Sequence, residues 1–376
     1  MSEEVKENKF KNYVKTLPKR YFITAFSGMA QGLFCTLIAG TILFQIAGWI
    51  GDNYFGNTLK AIANIAKTLM GAGIGVGIAH ALGKNKLLIF SAAIAGLVGA
   101  FAGNLLPNGA GLTTLTLGAP GNPIGSYVVT MLVVEIIGLY AGKTKVDILL
   151  VPLGALLLSF VGVFVAFPFI WLIDMLAKLL VLAISAGVAV KVLTGILIAV
   201  VMGVLLTMPT SSAAIWIAIA TSNTAAENPE IFAIAGGAAV AGCSAHMVGF
   251  AVASFRENKW GGLISQGIGT SMLQIPNIMK KPVIMLPEII SSAVAGLVAV
   301  LLGLCCNAAG GGMGTSGLVG LFGTIDACSA FGVPTVNTVI GIALCLFVIP
   351  AVITLLCSEF MRKKGWIQFG DMKLPE

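Results

Sequence analysis

The chain has 376 residues, of which 57% are apolar and 10% charged, with a formal charge of +7 and a mean hydropathy of +0.99. Soluble domains carry about 25% charged residues, so this composition excludes a soluble enzyme, a disordered chain and a disulfide scaffold. It leaves a polytopic membrane protein.

Charge-free stretches mark the elements. No Asp, Glu, Lys or Arg occurs in 21–51, 68–83, 87–134, 148–173, 192–226, 231–255, 289–325 or 327–358. A helix needs roughly 20 apolar residues to cross the hydrocarbon. These are continuous Leu-, Ile-, Ala- and Gly-rich runs without the ten-residue alternation of barrel strands, so they predict helices. The N-terminal segment 1–20 is basic (Lys6, Lys9, Lys11, Lys15, Lys19, Arg20) and too charged for a cleavable signal, which places it in the cytoplasm. A first span then covers 22–50 and ends at the interfacial Trp49. The second, 61–82, returns to Lys84/Lys86, and the third, 87–106, leads outward to an uncharged Gly/Pro/Asn-rich stretch, 107–123. The fourth, 124–142, comes back to Lys143/Lys145, and the fifth, 148–173, leaves near Trp171. Residues 175–190 must return inward, as a short span burdened by Lys178 or as an interfacial helix. Span 192–221 is broken at Met208-Pro209-Thr210, because proline removes a donor and disrupts the preceding turn. Span 231–254 enters to Arg256/Lys259; 261–279, between two basic clusters on one side, reads as a re-entrant hairpin. Span 283–306, a Gly-rich loop 309–321, span 336–358 and a basic cap at Arg362–Lys364 complete the chain.

The expected fold is thus all-α: a polytopic membrane protein of about ten transmembrane helices with re-entrant hairpins. It consists of a cytoplasmic basic segment 1–20, a membrane domain 21–360 and a cytoplasmic tail 361–376. The basic clusters follow the positive-inside rule, so the partner they imply is the lipid bilayer and not nucleic acid. The seven cysteines lie in or beside apolar runs and read as packing residues. Nothing has the spacing of a metal site, and no cofactor is expected.

Polar groups inside a bilayer are expensive and mark function by default. Glu135, mid-span in Met131-Leu-Val-Val-Glu-Ile-Ile-Gly138, either faces a cavity or is a paired or protonated structural carboxyl. Glu288 follows Lys280/Lys281 closely and reads equally as an interfacial ion-pair partner. His246, after Gly242-Cys-Ser-Ala245, is either a satisfied buried histidine or a ligand contact; His80, near Lys84, favours a structural role. Gly71-Ala-Gly-Ile-Gly-Val-Gly77 superficially resembles a dinucleotide fingerprint, but its context is a membrane helix and close helix packing is the better reading. The densest polar stretch, 261–277, carries Gln266, Thr270, Ser271, Gln274 and Asn277; Thr315/Ser316 and Asn122 lie in segments of the same character. All are neutral, which suits a polar uncharged solute better than an ion. Irregular segments meeting near the midplane are the usual transporter site design.

Several motifs together resemble the EIIC membrane proteins of the phosphotransferase system, in their stand-alone branch. They are Gly118-Ala-Pro-Gly-Asn-Pro-Ile-Gly125 followed by Glu135 and Gly142-Lys-Thr-Lys-Val-Asp147; Met208-Pro-Thr-Ser-Ser212; Gly242-Cys243 with His246-Met-Val-Gly-Phe250; Gly267-Ile-Gly-Thr-Ser-Met-Leu-Gln-Ile-Pro-Asn277; and Gly312-Met-Gly-Thr-Ser-Gly-Leu-Val-Gly320. The resemblance spans about 20–360 and implies a homodimer in a bacterial cytoplasmic (inner) membrane, with sugar as the substrate. Glucose-type relatives carry a glutamate in the hairpin that helps bind and orient the sugar; here the hairpin reads Gly269-Thr-Ser-Met-Leu-Gln274. The chain ends without a soluble IIA or IIB domain, so a phosphoryl donor would be a separate protein, and no catalysis is expected of the chain alone. Three readings follow. The first is a permease for a neutral polar solute, working by alternating access, with Asn122, Glu135, His246, Gln266, Thr270, Ser271, Gln274, Asn277, Thr315 and Ser316 as solute contacts. The second is transport uncoupled from phosphate, with Glu135 as a proton-linked carboxyl. The third is a membrane sensor or regulatory protein on the same scaffold.

Overall fold

A computed structural model describes residues 16–17, 19–105, 118, 121–208 and 212–374, and all regular structure among them is helical. The principal helices are α1 (Lys19–Ile50), α2 (Tyr54–Thr68), α3 (Met70–Ala81), α4 (Lys86–Ala100), α5 (Pro123–Ile137) and α6 (Asp147–Ser185). They continue with α7 (Val188–Thr207), α8 (Ser212–Ala220), α9 (Pro229–Ala253), α10 (Phe255–Ile264), α11 (Ile275–Lys280), α12 (Leu286–Leu301), α13 (Val319–Ala330) and α14 (Thr335–Lys363). Six helices are long and apolar enough to cross a membrane, or seven if α2 and α3, bent by 51° at Leu69, are one span. Three apolar segments (Lys86–Ala100, Pro123–Ile137 and Ser316–Ala330) are shorter.

Two sequence expectations change. The stretches 148–173 and 175–190 are one helix, α6, of 39 residues. Lys178 does not break it, because its Nζ lies 3.2 Å from Asp174 one turn earlier and the pair offsets the charge. The helix ends at Gly187, whose φ of +123° suits glycine alone. Conversely, α13 is a helix where the sequence pointed only to a Gly-rich loop and an unassigned stretch. The expected loop 107–123 lies outside the described residues except for its last positions and Gly118, as do Pro209–Ser211 of the expected break.

The chain divides into two compact units. Unit 1 comprises 1–40 and 62–170, and unit 2 comprises 41–61 and 171–376. In unit 1, α3 packs through two glycine faces. A β-carbon on Gly71 would stand 2.5 Å from the Gly96 carbonyl of α4, and one on Gly73 would stand 2.8 Å from the Gly32 carbonyl of α1. Gly75 and Gly77 repeat the two contacts one turn on, so the apparent fingerprint is a helix-packing device. Helix starts are capped: Asn85 Oδ1 accepts from Leu88 N at 2.9 Å at the head of α4, and Asn122 does the same for α5, where Pro123 occupies the first turn.

In unit 2, α9 is buried along most of its length and packs on α7, α12 and α14. Its run Gly236-Gly-Ala-Ala-Val-Ala-Gly-Cys-Ser-Ala-His246 is small enough to let three neighbours approach. Helix α6 behaves in the opposite way: Leu157, Phe160 and Leu182 are 73%, 68% and 67% exposed, an apolar surface suited to lipid. The cysteines are all free, and five of them are buried among apolar neighbours.

Candidate functional site

Eight of the ten expected contacts fall in unit 2, and they converge on the irregular segment between α10 and α11. That segment cannot continue α10. It tightens through Gly267 and Gly269 and reaches Thr270, whose extended backbone opens a short turn, with Thr270 Oγ1 accepting from Met272 N at 3.2 Å. A second irregular stretch, 312–316, docks on it: Thr315 Oγ1 donates to Gly267 O at 2.6 Å, and Ser316 Oγ donates to Gly269 O at 2.9 Å. Gly314, with φ +57°, makes this approach possible, since a β-carbon there would stand 2.7 Å from the Ser244 nitrogen of α9.

Two hydrogen-bonded groups result. In the first, Thr207 Oγ1 at the end of α7 lies 2.8 Å from His246 Nδ1 and 2.9 Å from Ser271 Oγ. All three side chains are fully buried, and His246 Nε2 and Ser244 Oγ have no partner. Thr207 was not singled out by the sequence; its only signal was its position beside the proline break.

The second group is an amide chain. Gln266 Nε2 donates to Ser254 Oγ at 2.9 Å and to Gly262 O at 3.0 Å, while its Oε1 accepts from Gln274 Nε2 at 2.8 Å. Asn277 Nδ2 donates to Gln274 Oε1 at 2.7 Å. The C-terminal tail closes the chain, because Gln274 also donates to Met372 O at 3.0 Å and Asn277 to Lys373 O at 2.9 Å. Lys281 Nζ meets Asp371 Oδ2 at 2.7 Å beside it. Burial alone would push the Asp371 carboxyl up, but Lys281, the Gln368 N–H and Arg362 outweigh it and hold the carboxyl below the usual carboxylate range.

Asn122 and Glu135 belong to unit 1. Asn122 is occupied as a cap, its Oδ1 accepting from Ile124 N at 2.9 Å and Gly125 N at 3.1 Å. Glu135 satisfies both of its alternatives: Oε1 accepts from Arg20 Nε at 2.8 Å, and the residue also lines a cavity of about 430 Å³ with Tyr21, Phe26, Tyr127, Met131 and Phe169. Lys84, between α3 and α4, completes the charged cluster. Its pKa is lowered by burial and by Arg20, while Glu135 pulls it back up. His80 lines a separate cavity of about 420 Å³ with Gln31, Cys35 and Thr36.

Glu288 departs from the ion-pair alternative. It is fully buried in α12, neither carboxyl oxygen has a partner, and Lys281 is engaged with Asp371 instead. No group of three or more His, Cys, Asp or Glu among the described residues could hold a metal ion.

A family model described as Phosphotransferase system, EIIC, matches residues 23–374, nearly the whole chain. Neither a curated protein nor a solved structure matches it.

Proposed function

The chain belongs to the EIIC family of the phosphotransferase system, and from that premise we propose that it is a permease carrying a neutral polar solute of the sugar class by alternating access. Family membership makes it a membrane sugar-transport component. The observation that carries the finer reading is the group Thr207–His246–Ser271. Here a broken helix end, a buried helix and an irregular segment bring uncharged donors and acceptors together, with His246 Nε2 and Ser244 Oγ left over. Leftover neutral groups at a break in helical structure suit hydroxyl recognition, whereas a bound ion would call for a charge or a shell of oxygens. The amide chain Gln266–Gln274–Asn277 holds the segment in shape from behind, and Thr315 and Ser316 fix its other side.

Counting α2 with α3 and the three shorter apolar segments as crossings brings the spans to ten, with 261–279 as a re-entrant hairpin. The chain forms a homodimer in the bacterial inner membrane with both termini cytoplasmic, and any phosphoryl donor of the IIA/IIB type is a separate protein. Asn122 and Glu135 belong to unit 1, where a cap and an ion pair already occupy them, and the group Thr207–His246–Ser271 carries this reading without them.

The test is binding and uptake. Purified protein titrated with a panel of hexoses, hexitols and amino sugars is expected to bind at least one. Thr207→Val and Ser271→Ala are each expected to weaken that binding about tenfold, the effect of losing one buried hydrogen bond of about 1.4 kcal/mol. Normal binding in both variants would remove Thr207–His246–Ser271 from the solute site.

A further inference from the structure

The permease reading leaves open what drives the solute, and one side chain bears on it. Glu288 lies in the first turn of α12 with no surface exposure, and neither carboxyl oxygen has a hydrogen-bond or ion-pair partner. The elements packed on α12 offer it no positive charge. Helix α9 presents Gly249, one turn after His246, whose Nδ1 is engaged with Thr207. A β-carbon on Gly249 would stand 2.8 Å from Thr354 Oγ1 and 3.1 Å from Glu288 Cγ, so the hydroxyl and the carboxyl share one small cell walled by a glycine. Helix α14 supplies that Thr354, itself unpartnered and fully buried, and Cys357, which is near enough to feel the Glu288 charge. The charges of α14 are Glu359, paired with Arg256, Arg362, paired with Glu257, and Lys363, exposed at the last residue of the helix. The one charge of α7, Lys191, sits in the helix's first turn, and the turn Pro282–Met285 has none.

A lone carboxylate cannot remain in such a place, and a leucine would fill it without desolvating any polar group. The carboxyl must be neutralised by a monovalent cation. An alkali ion needs a shell of oxygens, and among the described residues the unpartnered oxygens of this cell are those of Glu288 and Thr354. We infer that Glu288 is a proton-binding site that makes solute movement proton-linked. While the cell is open to water on one side, the carboxylate takes H⁺ from hydronium, forming the O–H bond and leaving water. The cell closes on the neutral acid, and that O–H bond breaks to return H⁺ to water when the cell opens to the other side, with no other bond changed. The inference rests on the permease reading, and it moves the proton-carrying role from Glu135, which has Arg20 as its counter-charge, to Glu288.

The experiment uses the full chain in proteoliposomes and reads two quantities. The first is counterflow of a radiolabelled hexose and hexitol panel, with and without a pH gradient. The second is the infrared carbonyl stretch of protonated carboxyl groups as pH is stepped. One proton per solute gives roughly tenfold accumulation per pH unit, since one unit is a factor of ten in proton activity. Wild type is expected to show that accumulation and a reversible, pH-dependent band. The isosteric Glu288→Gln should keep counterflow but lose both the response to the gradient and the band, and Glu288→Asp should restore part of each. Counterflow in wild type that ignores the pH gradient, follows a sodium gradient instead, or keeps its gradient response in Glu288→Gln overturns the proton assignment and leaves the permease intact. Absence of counterflow for every solute defeats the permease reading, and the infrared band then decides. A band removed by Glu288→Gln and reversible with pH retains the proton site, while an invariant or absent band ends it.

Discussion

Two carboxylates in membrane-embedded helices, Glu135 in α5 and Glu288 in α12, are treated in opposite ways by their surroundings. Glu135 is about a quarter exposed, faces a cavity and touches Arg20, with Lys84 close enough to shift in response. Glu288 is sealed, and its surroundings provide a hydroxyl, a thiol and a glycine. The other ion pairs among the described residues also give each carboxylate a fixed counter-charge: Asp52 with Lys60, Asp174 with Lys178, Glu257 with Arg362, Glu359 with Arg256 and Asp371 with Lys281. Where a carboxylate has a fixed counter-charge, its ionised form is part of the architecture. Where it has none, its charge must come and go with a mobile ion, so the two positions should respond oppositely to the same substitutions.

The largest effect is expected at Glu288. Glu288→Lys puts a cation where no anion waits, and should cost about 3–5 kcal/mol, the penalty of an uncompensated buried charge. It should be read as a fall in the melting temperature of the detergent-solubilised protein or as loss of folded material. Glu288→Leu should be neutral or slightly stabilising. If Leu proved as damaging as Lys, the cell would not be short of counter-charge, and the contrast with Glu135 would break. At Glu135 the order reverses. Glu135→Gln strands Arg20 and should cost about 1–2 kcal/mol, between the values for exposed and buried pairs. A double-mutant cycle with Arg20→Gln should recover most of that as coupling.

The sequence made one of these carboxylates legible and not the other. Glu135 interrupts a long apolar run, which marks it as a costly charge whatever its partner, and both alternatives offered for it hold together. Glu288 follows two lysines, and linear proximity suggested a pair; the tail, returning from ninety residues away, takes Lys281 instead. Helical class and most span positions follow from apolar run length, because an element crossing lipid has to satisfy its own backbone. The continuity of α6 through Asp174 and Lys178 does not, because two charges in sequence look like a break until they neutralise each other. The hairpin amides were read from composition as solute contacts. That Gln266, Gln274 and Asn277 bond to one another and to Met372 and Lys373 depends on where the tail folds, which local pattern does not encode.

Lys84 gives a smaller, pH-dependent test of the Glu135 cluster. Its folded pKa lies below the ordinary 10.5, through burial and then Arg20, so the charged form is disfavoured in the folded state. Stability should therefore rise as pH climbs from the folded value toward 10.5, and Lys84→Met should flatten that rise. Glu135→Gln removes the neighbour that raises Lys84 and should steepen it. Melting temperatures at stepped alkaline pH measure both slopes, and parallel curves for all three proteins would separate Lys84 from the cluster.

The smallest effect belongs to Asp371, which lies in the C-terminal tail and is about as exposed as Glu135. Its folded pKa is lowered because Lys281, the Gln368 N–H and Arg362 outweigh the cost of burial. A carboxylate with a depressed pKa contributes stability that is present above its unfolded pKa, near 3.8, and is lost as pH falls through the folded value. Lys281 and Asp371 remain 32% and 22% exposed, so the pair should hold the tail by no more than about 1 kcal/mol. Hydrogen exchange over 366–374 should accordingly quicken on acidification, and Lys281→Ala should bring that onset to a higher pH, with Gln274 and Asn277 still anchoring the backbone of Met372 and Lys373. An onset that did not move would mean the amide chain alone secures the tail. The contrast of Asp371 and Glu135 with Glu288 would then rest on burial and not on counter-charge.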